Sequence, residues 1–220
     1  MMSMSQALTQ QRLRIQFAKQ GALRYVGHLD LATTWERVLR RAELPLEYTR
    51  GFNPRPRLQF AAALPVGLTS EAELVDVWLT ERVSLDPASA LIERLNATSP
   101  GGLRTLQVAE VPIKAPALPP QVISAEYAIT PNDPDLSADD LWARAQTLLA
   151  QTRIERVLRG KPYDLRPLIQ DLRPDGDGVL VARLSTGERA NARADEFIAA
   201  LGLALHQVNA HRRRLFLREA

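Results

Sequence analysis

Four prolines fall within residues 112–121 (PIKAPALPPQ), and they constrain this 220-residue chain more than any other feature. Each proline fixes its φ angle and lacks a backbone donor, so the stretch reads as a stiff, extended connector. It divides the chain into residues 1–111 and 122–220, two pieces of about 100 residues each, an ordinary size for a domain.

Both pieces show the same alternation of strand and helix. In the first, RLRIQFAK (residues 12–19) alternates Leu13, Ile15 and Phe17 with polar neighbours, as a half-buried strand does. Residues 29–43 place Leu31, Trp35, Val38, Leu39 and Ala42 at helical spacing, and Pro45 stops the helix. A short strand is expected at 46–49 and an extended piece at 58–63, and ELVDVWL (73–79) is a further strand. Asp86-Pro87 is expected to open a helix over 86–96, with Asp86 as cap and Pro87 at the first helical position. After Gly101-Gly102, residues 103–111 close the series as a strand. In the second piece, strands are expected at 122–129, 153–159, 179–184 and 207–217, and helices at 137–151, capped by Ser137, and 194–200. A long excursion through 160–178 separates the middle two strands. The order βαββαβ occurs twice, which gives an α+β fold of two tandem ferredoxin-like domains. Residue identity between the halves is negligible.

Composition removes several classes of chemistry. With no cysteine there is no disulfide, thiolate zinc site, cysteine nucleophile or cysteine-bound iron–sulfur cluster. Only His28, His206 and His211 are present, so no metal site and no cofactor is expected. No apolar run reaches the ~20 residues of a membrane span, and the polar opening MMSMSQALTQQ lacks the core of a signal peptide. A cytoplasmic protein without membrane association is the expectation. Charge is unevenly spread. Residues 1–60 hold 10 Lys/Arg against 4 Asp/Glu, 61–150 hold 5 against 12, and 151–220 hold 13 against 9. Basic ends around an acidic middle point to a polyanionic partner, or to ordinary surface charge segregated by chance.

The basic groups are densest between residues 24 and 67. Arg37, Arg40 and Arg41 lie opposite the Leu31/Trp35/Val38 stripe of the first helix, where guanidiniums can fork onto phosphates, pair with Glu36, or simply face water. In GFNPRPR (51–57), Pro54 and Pro56 stiffen a loop that carries Arg55 and Arg57 beside Phe52. Tyr25 and Tyr48 add aromatic surface, and arginines interleaved with aromatics are the composition of single-stranded nucleic-acid sites. Phe52 can equally anchor the loop in the core. His28, next to Tyr25 and Asp30, is the one candidate acid or base, although a lone histidine more often makes a local hydrogen bond. Asp30 fits a first-turn carboxylate. In the second half, GKPYDLR (160–166) lacks the glycine and Ser/Thr of a P-loop. The run His211-Arg212-Arg213-Arg214 is a second basic cluster.

RYVGHLD (24–30), ERVLRRAELPLEY (36–48), GFNPRPR (51–57) and LPVGLTSEAE (64–73), in that order, resemble the radical-SAM-linked protein family of unknown function. In that family the module is encoded beside, or fused to, a radical-SAM enzyme. KPYDLR (161–166) looks like the family's second-half motif. The resemblance implies site positions at Lys19, Arg24, Tyr25, His28, Asp30, Arg37, Arg41, Tyr48, Gly51, Phe52, Pro54, Pro56 and Glu73, with Lys161, Asp164 and Arg166. It also implies a radical-SAM enzyme as partner, a role this cysteine-free chain cannot fill itself. Gly27 stands where a serine is usual, Arg55 where histidine is usual and Ala72 where glycine is usual. Losing the second histidine weakens any mechanism that needs two. At fold level alone, the tandem domains look similar to RNA-processing endoribonucleases of CRISPR systems.

The expectation is a non-catalytic RNA-binding or substrate-presenting accessory protein. Lys19, Arg24, Arg37, Arg40, Arg41, Arg55, Arg57, Lys161 and Arg166 would face phosphates. Tyr25, Tyr48 or Phe52 would stack on bases, and Asp30, Gly51, Pro54, Pro56, Glu73 and Asp164 would support them. The rivals are a metal-independent endoribonuclease using His28, with Tyr25 or Lys19 nearby, and an adaptor that docks the radical-SAM enzyme through the acidic middle segment.

Overall fold

The computed structural model describes residues 9–158, 160–176, 178–187 and 191–218. Its described residues form an α+β protein with four α-helices and mostly antiparallel strand pairing. The chain divides into two compact units, Met1–Ala63 with Glu73–Pro119, and Leu64–Ala72 with Pro120–Ala220.

The first unit contains β1 (Gln11–Lys19), α1 (His28–Arg41), β2 (Leu58–Phe60), most of β3 (Thr69–Leu79), α2 (Ala88–Thr98) and β4 (Leu103–Val111). Its strands lie in the order β4-β1-β3-β2, with β1 antiparallel to β4 and β2 antiparallel to β3. Alternation along β1 sends Leu13, Ile15 and Phe17 into a core shared with Leu31, Trp35, Val38 and Leu39 of α1. Phe17 meets Trp35 edge-on at 5.0 Å and Phe60 at 6.2 Å, pair geometry worth about 0.5–1.5 kcal/mol each beyond buried area. The polar residues of β1 and β3 are used inside as well. Asp76 is fully buried and accepts from Arg12 Nε (3.0 Å) and Nη2 (2.5 Å) and from Arg14 Nε (2.8 Å) and Nη2 (3.0 Å). Arg12 also donates to the carbonyls of Ala115 and Pro116. Leu118 is fully buried, and its N–H donates to Gln59 Oε1. The proline-rich stretch is thereby fastened to the first unit as far as Pro119.

Two expectations for this unit are corrected. The short strand expected at 46–49 does not form as a named strand among the described residues, which show isolated bridges of Leu46 to Leu79 and Tyr48 to Pro56, and β2 is the strand that pairs with β3. Helix α2 starts at Ala88 with Pro87 as its N-cap, so Asp86 does not cap it. Instead the Asp86 N–H donates to Ser84 Oγ.

The second unit contains β5 (Val122–Pro131), α3 (Ala138–Leu149), β6 (Glu155–Leu158), β7 (Lys161–Asp164), β8 (Ile169–Asp175), β9 (Val179–Ser185), α4 (Ala194–Ala200) and β10 (Val208–Leu217). Its main strands are ordered β10-β5-β9-β8, and the head of β3 pairs in parallel with β10 at Thr69 and Ser70. Ser137 and Asp140 form a capping box at α3, and those hydrogen bonds hold the Asp140 carboxyl below its ordinary pKa. The strand expected at 153–159 is corrected: β6 pairs only with β7, in a separate two-stranded ribbon. The sheet strand is β8, inside the stretch read as an excursion. A bulge between Ile169 and Asp171 breaks the period of two, so buried Ile169 and Leu172 sit three residues apart. Among the described residues, no helix is long and apolar enough to cross a membrane.

Candidate functional site

The basic and aromatic positions of the first unit converge on α1 and the loop that follows it. β1 ends at Lys19, and a single 3-10 turn over Gly21–Tyr25 leads to α1. Lys19 is buried and donates from Nζ to the Val26 carbonyl at 2.8 Å, so its charge braces the turn from inside. Arg24 lies over the ring of Tyr25 at 5.8 Å, and Tyr25 is 70% exposed. Helix α1 begins after Gly27 without a side-chain cap, and Asp30 is the acidic residue of its first turn. The hydroxyls of Thr33 and Thr34 turn back to the carbonyls of Leu29 and Asp30.

A 3.6-residue repeat puts Asp30, Thr34, Arg37 and Arg41 along one strip of α1, away from buried Leu31, Trp35, Val38 and Leu39. Arg37 and Arg41 are exposed, and neither has an ion pair among the described residues. Arg40 points to the neighbouring strip and donates to Glu36 Oε2 at 3.1 Å. Arg55, from the loop, brings Nη1 to 3.9 Å from Glu36 Oε1.

That loop is the end of a narrow hairpin. Tyr48 bridges Pro56, the Thr49 N–H donates to the Arg55 carbonyl at 2.8 Å, and the Arg57 N–H donates to the Glu47 carbonyl at 2.7 Å. Gly51 has φ +139°, in the region that favours glycine, and so carries the chain round the tip. Phe52 stands wholly in solvent at the tip, and Tyr48 is 44% exposed. Pro54 is exposed, whereas Pro56 is buried. Arg57 is held more firmly than Arg55: it pairs with Glu47 Oε1 at 3.0 Å and lies over the Trp78 ring at 4.4 Å, and Arg12 lies over the same ring at 4.6 Å. The two arginines, Leu58, Gln59, Trp78, Ile113, Ala115 and Ala117 line a cavity of about 220 Å³. Periodicity gives no sign of this cluster, because two arginines and a tryptophan on three separate strands or loops have no local signature.

His28 is exposed, with its ring edge-on to Phe60 at 5.3 Å, and no hydrogen bond or ion pair to it is present among the described residues. Glu73 is buried in β3. Among the described residues, no three His, Asp or Glu side chains cluster as metal ligands would.

Residues 12–194 match the model of a family described as uncharacterized proteins conserved in bacteria (DUF2344). The chain belongs to that family. The DUF2344 match runs from β1 into the start of α4, so it takes in α1, the hairpin tip and the second-unit motif alike. No curated protein matches the chain.

In the second unit the KPYDLR residues divide by use. Lys161 is exposed on β7. Asp164 accepts from the N–H groups of Ile154 (2.8 Å) and Arg166 (2.9 Å), and those bonds hold its carboxyl below the ordinary value. Arg166 donates from Nε to the carbonyls of Leu149 and Gln151, capping the C-terminal end of α3. Tyr163 is half-buried, with no hydrogen bond to its hydroxyl among the described residues, and burial pushes its phenol upward, reinforced by Glu196. The run at 211–214 is used internally too. His211 meets Thr69 Oγ1 at 2.8 Å, buried Arg212 bonds Tyr127 Oη, Arg213 pairs with Asp175, and Arg214 lies near the ring of Phe216.

Proposed function

We propose that this protein is a non-catalytic, RNA-binding accessory protein that presents substrate to a radical-SAM enzyme, with the α1 strip and the hairpin tip as its contact surface. One observation carries the reading: two exposed guanidiniums on α1, without an ion pair among the described residues, accompany a proline-stiffened loop that holds Phe52 fully in water. Folding gains nothing from leaving Phe52 there, whereas a base can stack on it. Permanently charged Arg37 and Arg41, with the outer faces of Arg40 and Arg55, supply phosphate contacts. Lys161 is the second unit's surface charge in the same reading. Lys19, Arg57 and Arg166 keep the supporting roles that their internal partners give them.

The radical-SAM partner rests on the ordered resemblance of residues 24–73 and 161–166 to the radical-SAM-linked family. The strand orders β4-β1-β3-β2 and β10-β5-β9-β8, each with two helices, support reading both units as ferredoxin-like, with β6 and β7 inserted in the second. A cytoplasmic setting follows from an RNA partner. His28 receives no catalytic role in this reading, because no hydrogen bond or ion pair among the described residues orients or polarises its ring.

The test is binding of a labelled, mixed-sequence single-stranded oligoribonucleotide, followed by fluorescence anisotropy from 50 to 400 mM salt. Four phosphate contacts give a slope of log K against log salt of about −2.8, at roughly −0.7 per contact on single strands. A flat response, or no binding at the lowest salt, refutes the proposal. Co-purification with a radical-SAM enzyme that survives nuclease treatment would separate the partner claim from the RNA claim.

A further inference from the structure

Glu36 is the odd member of the α1 surface, since a carboxylate beside a phosphate site ought to weaken it. Its side chain is only 11% exposed, and two arginines from different elements meet it. Arg40 comes from the last turn of α1 and gives one N–H to Oε2 at 3.1 Å. Arg55 comes from the proline loop and stands 3.9 Å from Oε1, beyond hydrogen-bond reach, with its own donors uncommitted to the carboxylate. The backbone of Arg55 is fixed on both sides by Thr49, whose Oγ1 accepts from its N–H at 3.1 Å and whose N–H donates to its carbonyl at 2.8 Å. The two guanidinium side chains remain 46% and 61% exposed.

We propose that Glu36 is the positioning residue of a phosphate clamp formed by Arg40 and Arg55, an inference that rests on the RNA-binding reading. A guanidinium has five N–H donors, and Glu36 uses one of Arg40's, so both arginines keep donors directed to solvent. Shielding from water strengthens the attraction of the carboxylate for both cations relative to a surface pair. Two long side chains are thereby ordered before any ligand arrives, which removes part of the entropic cost of binding. The trio carries a net charge of +1 and presents one fork to each of two neighbouring phosphates.

The sign of the effect tests the clamp. If net charge alone mattered, Glu36→Gln would add one positive charge to the surface and tighten binding. Positioning requires the opposite: Glu36→Gln weakens binding of the oligoribonucleotide at 50 mM salt by about fivefold, or ~1 kcal/mol. In an Arg40→Ala/Arg55→Ala background the same substitution has no further effect, as a double-mutant cycle reads out. Tighter binding by Glu36→Gln, or an equal loss in both backgrounds, overturns the clamp while the wild-type salt slope leaves RNA binding standing. Absence of wild-type binding overturns both. Should Glu36→Gln fail to give a cooperative melt, Arg55→Lys decides. It keeps the charge but loses the fork, so severalfold weaker binding supports the clamp and unchanged affinity refutes it.

Discussion

Replacing Arg37 and Arg41 together by alanine isolates the charge that α1 offers to a ligand from the charge that α1 needs for itself. Both side chains are exposed and lie one turn apart, and neither has an ion pair among the described residues. Their loss should change stability by less than about 0.5 kcal/mol, as for other surface substitutions. The effect on binding is large by comparison. Each phosphate contact on a single strand contributes roughly −0.7 to the salt slope, so removing two of four contacts halves it, from about −2.8 to about −1.4. With the non-electrostatic part unchanged and 1 M salt as reference, the double variant binds roughly 60-fold more weakly at 50 mM salt and roughly tenfold more weakly at 200 mM. Anisotropy titrations at several salt concentrations measure this directly. Arg82→Ala is the matched control, because it removes an exposed arginine already paired with Glu110 at 2.7 Å. A double variant whose slope matches the wild type, or falls no further than the Arg82 control, refutes the assignment of this strip.

Phe52→Ala should weaken binding by about 1–3 kcal/mol with no change in thermal midpoint, since the ring is fully solvent-exposed, and an equal loss of stability would show that the ring packs in the core instead. Asp76→Ala strands two guanidiniums around a fully buried position and should destabilise the protein by about 3–5 kcal/mol in urea unfolding; a loss below about 1 kcal/mol would contradict the buried network. For Asp164, backbone N–H bonds lower the folded pKa below the unfolded value. Its contribution is therefore present above the ordinary carboxylate pKa of about 4 and disappears as pH falls through the lower folded value. Asp164→Ala should accordingly lower the melting midpoint at pH 7 and match the wild type in strong acid, whereas a gap independent of pH would mean the hydrogen bonds are not the source.

Local signals predicted what local chemistry decides. The apolar spacing of α1, the Ser137 cap of α3 and the span of α4 all follow from residues within one or two turns of each other. β8 carries no period-two signal because its bulge sets Ile169 and Leu172 three apart, and prolines at 162, 167 and 174 interrupt the excursion that contains it. The Asp76 network joins residues 64 and 62 positions apart, a distance over which no periodicity carries information. Arg166 illustrates the same limit at the site. Its motif marks it out, yet only the fold reveals that its Nε faces the open carbonyls at the end of α3. Gly51 is legible as a turn residue because turn chemistry belongs to the loop alone, whereas Phe52 suits stacking and core anchoring equally in the sequence, and only the fold places it in solvent.

Arginine content therefore overstates the surface this protein can offer to a polyanion. Arg12 and Arg14 neutralise Asp76, Arg57 pairs with Glu47 over Trp78, Arg166 caps a helix, and Arg212 is buried on Tyr127. A guanidinium already matched by a carboxylate adds little to the outward potential, and burying it further against a phosphate would first require breaking that match. Around α1 the array includes Arg37 and Arg41, which have no ion pair among the described residues, and Arg40 and Arg55, which share one carboxylate. On the proposed RNA-binding reading, these charges beside exposed Phe52, Tyr25 and Tyr48 suit a few nucleotides of single strand. They do not suit a duplex, whose stacked bases offer Phe52 no face to cover and whose grip depends on longer tracks of phosphate contacts. Competition with a duplex of the same sequence should thus displace little of the bound single strand.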